Sequence, residues 1–433
     1  MSADGSTMCG LQQNEFMTPR RKILLVSPYV PCRGVHGGGN LMFNLIRELS
    51  ARHQITVLSF YEDEAESRYA EALIPFCSQI ELVRRVQTFH LRDALAVDPP
   101  EITYEFYSRR MQELIQQHLR SEAFDILQCE YLQTAHFARV SQTVPVVITN
   151  HEVSSLAYYS RFRDAGSLSL KKITLLLRWM RMLNYEEKIL RAASAVVVLT
   201  PAERHFLSRL LAGVPVYTHS MGVDCNHFSP GVSRHHERAV VFVGNFRHTP
   251  NELAVEWFLS RVWPKIIARC PDATFYAVGG NPSARLQARD RKDNVVVTGF
   301  VEDVRDFLAR ATVFVAPLFA GAGARTKVLE AWAMAKPVVG TPLAFEGLSD
   351  EPTLRLTADD ENTFTERVCA LLENTNLAEQ LGVAARQVVV QRFSWQSLAE
   401  FYEAVYTDIL GSGGTSVPQQ PGLAMQTQLN ENG

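Results

Sequence analysis

Ten short apolar runs, rich in β-branched residues, recur along this chain in two sets of five, and helical patterns separate most of them. The first set is Ile23–Ser27, Ile55–Phe60, Ile126–Cys129, Val144–Thr149 and Ala195–Leu199. The second is Ala239–Val243, Thr274–Val278, Val295–Thr298, Val313–Pro317 and Val338–Thr341. Short continuous apolar runs suit strands that are covered on both faces. Buried strands that alternate with helices build parallel sheets of the doubly wound kind. The predicted fold class is therefore α/β, with two Rossmann-like doubly wound domains facing across a cleft. With 433 residues, 46% hydrophobic and 21% charged, the chain has enough apolar material for two cores.

The predicted boundaries follow from composition. Residues 1–20 and 412–433 are polar and aperiodic and read as disordered tails. Met221–Arg238, with Gly222, Pro230 and Gly231, reads as an interdomain linker. This divides the chain into a first domain over 21–220 and a second over 221–394. The last helical pattern, within 395–411, is expected to cross back and brace the first domain.

The formal net charge is −3, so no global field favours nucleic acid as a partner. The seven cysteines are scattered and show no CxxC pair, as expected in a reducing cytoplasm. Residues 1–20 lack the apolar core of a signal peptide, and no stretch reaches the ~18 apolar residues of a spanning helix. The expected location is cytoplasmic. Leu168–Leu190 carries Lys171, Lys172, Arg178, Arg181 and Lys188 among leucines. It reads either as a core-packed helix with a solvated basic face or as a peripheral contact with an anionic inner membrane.

The richest segment is Val313–Thr341, VFVAPLFAGAGARTKVLEAWAMAKPVVGT. It reads as strand, glycine loop, helix and strand. Gly321 and Gly323 permit close approach of a ligand to the backbone. The helix is predicted over Arg325–Ala335 and stops before Pro337. Its first turn holds Arg325 and Lys327 and has no acid before Glu330. That is the wrong charge for a helix start, whose dipole favours anions. A bound phosphate resolves the conflict. Glu330 lies one to two turns on, in reach of a ribose attached to that phosphate.

Other candidates lie at strand ends that face the same cleft. Gly37, Gly38 and Gly39 are read as a loop before a helix over Leu41–Leu49, with Asn40 as its N-cap. His151, in ITNHEVSS, is placed to touch a transferred sugar, with Glu152 as a neighbouring base. Arg247, in GNFRHTPN, is a candidate diphosphate contact. Phe300 and Val301, in GFVED, offer backbone groups to a nucleobase. No DxD carboxylate pair stands at a strand end for Mg²⁺, so no metal site is predicted.

GxGxRxKxLEAWAMAKPVV followed by AFEGL resembles the nucleotide-binding helix of the fourth family of glycosyltransferases. MGVDCNHFSP, VVFVGNFRHTPNELAVEWF, FYAVGGNP and VTGFVEDVRDFLARA resemble that family's other second-domain segments, over about residues 221–410. The resemblance is strongest to a bacterial branch associated with exopolysaccharide or surface-sugar assembly. It implies a GT-B fold, an acceptor-binding first domain and a second domain that binds the nucleotide-sugar. It further implies a metal-independent transfer with retained anomeric configuration, from a UDP- or GDP-linked donor to a saccharide or lipid-linked acceptor, with no other cofactor. By position, Glu330 would hold the ribose, and Arg325, Lys327 or Arg247 the diphosphate. The family's paired glutamate would fall at Ala322, where the acid is missing. Two alternatives share the cleft: a GT-B nucleotide-sugar epimerase and a catalytically idle nucleotide-sugar-binding protein.

Overall fold

The computed structural model describes residues 19–35, 37–85, 101–165, 170–231, 237–320, 325–348 and 353–411. Apart from residues 19–20, the expected tails lie outside these. The chain forms two parallel sheets. The first joins β1 (Lys22–Ser27), β2 (Gln54–Tyr61), β3 (Gln79–Arg84), β4 (Ile126–Glu130), β5 (Val146–Asn150), β6 (Ala195–Val198) and β7 (Val216–Thr218) in the order β3-β2-β1-β4-β5-β6-β7. The second joins β8 (Ala239–Val243), β9 (Thr274–Val278), β10 (Val295–Gly299), β11 (Val313–Ala316), β12 (Val338–Gly340) and β13 (Leu356–Thr357) in the order β10-β9-β8-β11-β12-β13. In each sheet the chain starts near the middle, winds to one edge, then returns to the far side of its first strand. The order switches between β1 and β4 and between β8 and β11, which opens a crevice at the strands' carboxyl ends.

Two of the ten predicted strands match residue for residue, and the other eight agree within two residues at either end. β3, β7 and β13 were not predicted, and each is an edge strand. β3 has the sequence QIELVR and is mostly part-exposed, and the other two are three and two residues long. None has the continuous apolar run of a strand covered on both sides.

Alternation along β1 divides the first core into two layers. Leu24 and Val26 join one buried cluster, and Ile23 and Leu25 join the other. The second layer includes Leu41, Leu45 and Ile46 of helix Gly37–Ser50 and also Trp395, Phe401, Tyr402 and Val405 of helix Trp395–Ile409. The chain's last described helix is thus packed on the first sheet. The Tyr402 hydroxyl is 2.9 Å from Thr149 Oγ1, and Glu403 pairs with Arg52 at 2.9 Å. The chain's two crossings between domains run side by side. Val223 N donates to Phe393 O at 2.7 Å, and Val223 bridges Ser394 in parallel.

Gly37–Gly39 are not a loop. They form the opening turn of helix Gly37–Ser50, and Asn40 lies inside that helix, accepting from Asn44 Nδ2 at 3.0 Å. The helix predicted over Arg325–Ala335 spans Thr326–Ala333, with Arg325 at its N-cap position. The predicted Leu168–Leu190 helix spans Leu170–Leu190. Its last two turns bury Met182, Tyr185 and Ile189, while Ile173, Leu177 and Met180 are exposed. No helix among the described residues is long and apolar enough to cross a membrane.

Candidate active site

A cleft of about 410 Å³ lies where the two sheets' carboxyl ends meet, and both domains line it. The first-domain wall is built on β4 and β5. Side chains two apart on a strand share a face, so Gln128 and Glu130 point the same way. Glu130, fully buried, accepts from Gln128 Nε2 at 2.5 Å and contacts His151 Nε2 at 2.6 Å. Glu130 pairs in register with Thr149 on β5, so the residue just beyond that strand, His151, falls beside it.

Tyr131 follows with a backbone φ of +66°, a sparsely populated conformation for a residue with a side chain. This turn lays its ring flat on the His151 imidazole, with centroids 3.7 Å apart and planes 4° apart. The Tyr131 hydroxyl occupies the space a side chain at position 38 would need: a Cβ on Gly38 would lie 1.6 Å from that oxygen and 2.5 Å from the Tyr29 hydroxyl. The glycine serves close packing at the helix start, not loop freedom.

The loop that carries His151 is fastened from below. Glu186, fully buried, accepts from Asn150 Nδ2 at 3.0 Å, from the Ser154 and Ser155 amides at 3.1 Å each and from Ser155 Oγ at 2.5 Å. Burial raises its carboxyl, and those hydrogen bonds oppose the rise. Glu203 completes a capping box with Thr200 and accepts from the Val153 amide at 3.0 Å.

The second-domain wall is the start of helix Thr326–Ala333. Arg325 and Thr326 line the cleft opposite His151, with Glu346 and Gly347 beside them. Arg325 is only 8% exposed. Its Nε donates to Leu343 O at 2.8 Å, and its guanidinium lies 3.4 Å from Glu346. Burial lowers its basicity and Glu346 opposes that. Lys327 points inward, donating to Asn251 Oδ1 at 2.5 Å with its ammonium 4.7 Å from the Phe242 ring centre. Burial brings it down to about 8, and Glu330 opposes the fall. Glu330 keeps some solvent contact, yet the protein packed around it raises its carboxyl to about 7. The start of this helix therefore holds two crowded cations and no first-turn acid, the charge that a helix dipole disfavours.

Gly37, Gly38, His151, Glu152 and Arg325 therefore meet around one cleft, with Lys327 and Glu330 on the helix behind it. Gly39 is buried within its helix. Arg247, Phe300 and Val301 do not line this cleft. They stand at the ends of β8 and β10, where Arg247 is exposed, Phe300 is 82% exposed and Val301 packs on the core. The loops after β8 and β9 and the end of β10 are knit together: Phe246 N donates to Gly280 O at 3.0 Å and Gly279 N to Gly299 O at 3.2 Å. Gly321 and Gly323 lie outside the described residues. The sequence reading missed Glu130, Tyr131 and Glu186. The available signal was an acid directly after the apolar run at β4, in ILQCEY.

Gly38→Ala is expected to displace Tyr131 and with it His151, at a cost of roughly 1–3 kcal/mol for forced overpacking. Gly37→Ala is the control, because its Cβ meets only Met221 Cε, at 3.8 Å. Thermal melts of both variants, with the His151 ring proton shifts, check this: only the Gly38 variant should lose stability and the ring-current signature of Tyr131.

Residues 35–227 match the model of Glycosyltransferase Family 4, and residues 237–374 match that of Glycosyl transferases group 1. A Klebsiella pneumoniae protein described as an uncharacterized 44.6 kDa protein in cps region is 20% identical over 86% of this chain and 96% of its own length. The phosphatidyl-myo-inositol mannosyltransferase of Mycobacterium tuberculosis is 28% identical over 41% of this chain and 48% of its own length. Among solved structures, Anabaena Alr3699/HepE in complex with UDP superposes with a TM-score of 0.58 at 15% identity, over 89% of this chain and all of that one. The two matched segments fall on the two Rossmann-like domains, and the chain is a glycosyltransferase of GT-B fold whose first domain matches the family 4 model and whose second matches the group 1 model.

Proposed function

We propose that the protein moves a sugar from a nucleoside diphosphate donor to a hydroxyl of a saccharide or lipid-linked acceptor, with retained configuration and without a metal. The observation that carries this is the nearly buried Arg325 at an acid-free helix start, facing His151 across one cleft. The diphosphate binds at that start. Arg325 and Lys327 neutralise the charge that grows on it as the bond to the anomeric carbon breaks. Glu330 accepts hydrogen bonds from the ribose. His151 touches the transferred sugar, and the acceptor enters over the first domain and attacks on the leaving-group face. The incoming hydroxyl's proton leaves with the nucleoside diphosphate. Closure of the cleft excludes water and so limits hydrolysis. UDP is the first donor base to try, because the Anabaena neighbour was solved with UDP. A role in exopolysaccharide or surface-sugar assembly is supported by the motif resemblance and by the Klebsiella relative's description.

A panel of UDP- and GDP-sugars, read by acceptor-dependent nucleoside diphosphate release, tests the reading. Release that needs an acceptor and persists in EDTA supports it. Epimerised donor without acceptor overturns it. We also place the protein on the cytoplasmic face of an anionic membrane, through helix Leu170–Leu190. Ile173, Leu177 and Met180 form an exposed stripe at helical spacing beside Lys171, Lys172 and Arg178. Co-sedimentation with phosphatidylglycerol vesicles, lost in high salt and in Leu177→Asp, is the expected result.

A further inference from the structure

A buried line of polar groups runs from the terminal helix to the cleft. The Tyr406 hydroxyl donates to Gln128 Oε1, Gln128 Nε2 donates to Glu130 Oε1, and Glu130 Oε2 meets His151 Nε2. Tyr406, Gln128 and Glu130 are all fully buried. A carboxylate only accepts, so Glu130 fixes the polarity of everything bonded to it. On one side it turns the amide of Gln128 so that the nitrogen faces it and the oxygen faces Tyr406. On the other it requires a proton on His151 Nε2. Burial keeps the Tyr406 phenol far above its ordinary range, so that hydroxyl remains a donor. The Tyr131 ring, flat on the imidazole, removes the remaining freedom to tilt.

We infer that Glu130 is a positioning residue that holds His151 in one tautomer, Nε2 protonated and Nδ1 left as the acceptor, and that Gln128 and Tyr406 anchor it from the terminal helix. The effect on transfer rests on the proposed role of His151, whereas the tautomer does not. The part played by Tyr406 gives the last helix a stake in the site, since it reaches the cleft through only two side chains, Gln128 and Glu130.

Glu130→Gln is the informative variant, because it keeps the shape and removes the double acceptor. An amide has one accepting end, so either His151 or Gln128 must reverse. In full-length protein labelled with ¹⁵N-histidine, wild type is expected to show the Nε2-protonated tautomer of His151. Glu130→Gln is expected to show a mixture, and Tyr406→Phe a smaller change in the same direction. Turnover of Glu130→Gln should fall roughly 10–100-fold, as when the orienting partner of a functional histidine is lost. KM for the donor should stay within about threefold of wild type. Circular dichroism and melting confirm that the variant is folded. An unchanged tautomer in folded Glu130→Gln overturns the inference. A changed tautomer with unchanged turnover overturns the effect on catalysis. Full turnover in His151→Ala instead removes His151 from the proposed reaction, and the tautomer result then stands by itself.

Discussion

Arg325→Ala is expected to cut turnover by roughly 10²–10³-fold, equivalent to about 2.7–4 kcal/mol of transition-state stabilisation. The guanidinium stands at a helix start with no acid in the first turn and is itself nearly buried in the cleft wall. There a fixed cation acts on developing phosphate charge far more strongly than it would in bulk solvent. Arg325→Lys should recover little of the loss. A single ammonium does not reproduce a fork that binds Leu343 O while facing Glu346. Lys327→Ala should fall in the same range, with a second signature in pH. Burial lowers this ammonium to about 8, so in the empty protein its charge is present below that pH and fades above it. A bound diphosphate favours the charged form. The affinity of wild-type protein for UDP should therefore decline as pH rises through 8, and that slope should flatten in Lys327→Ala. Steady-state kinetics and UDP titration calorimetry across pH 6.5–9.5 check both expectations. Near-wild-type turnover in the two alanine variants, with melts intact, removes the diphosphate from this helix start.

Glu330→Gln is expected to stabilise the empty protein while weakening its hold on the nucleotide. The carboxyl is raised from its ordinary 4.5 to about 7 by burial, so the folded state disfavours its ionised form. The resulting penalty is negligible below pH 4.5, grows between 4.5 and 7 and is complete above 7. Its full size is about 3 kcal/mol. That penalty already includes the attraction of Lys327, so the variant should gain roughly 1–3 kcal/mol at pH 8, vanishing toward pH 4.5. UDP affinity should drop about tenfold, because a neutral acceptor replaces a charged one. Urea melts at pH 5 and pH 8, paired with UDP titration, provide the test. A variant less stable than wild type at pH 8 contradicts the assignment.

The fold was legible where a strand carries an apolar run long enough to stand out. β8 and β9 could be read to the residue, because their mostly apolar runs are bounded by polar turns. β3, β7 and β13 were not legible, since β3 is mostly part-exposed and β7 and β13 are too short to show a run. The site was legible where chemistry ran against local rules: Arg325 and Lys327 stood out because a helix start resists cations. Glu130 and Glu186 did not stand out. A carboxylate in a sequence reads as surface, and only the tertiary fold reveals the amides, hydroxyls and imidazole that surround these two. The glycines at 37–39 were misread for a related reason. The role of Gly38 depends on the Tyr131 ring, which lies more than ninety positions away in the chain and reaches it only through a left-handed backbone turn.

The order in which a ribosome delivers this chain runs against the order in which its halves can be completed. β1 to β7 emerge first, yet one face of their sheet, at Ile23 and Leu25, is roofed by Phe401, Tyr402 and Val405. Until those last turns are synthesised, the earlier half carries a bare apolar surface while the later half already has all its own core residues. A fragment ending near residue 220 should therefore aggregate unless the peptide 395–411 is supplied in trans, and nascent chains stalled before that peptide should be the species that chaperones hold.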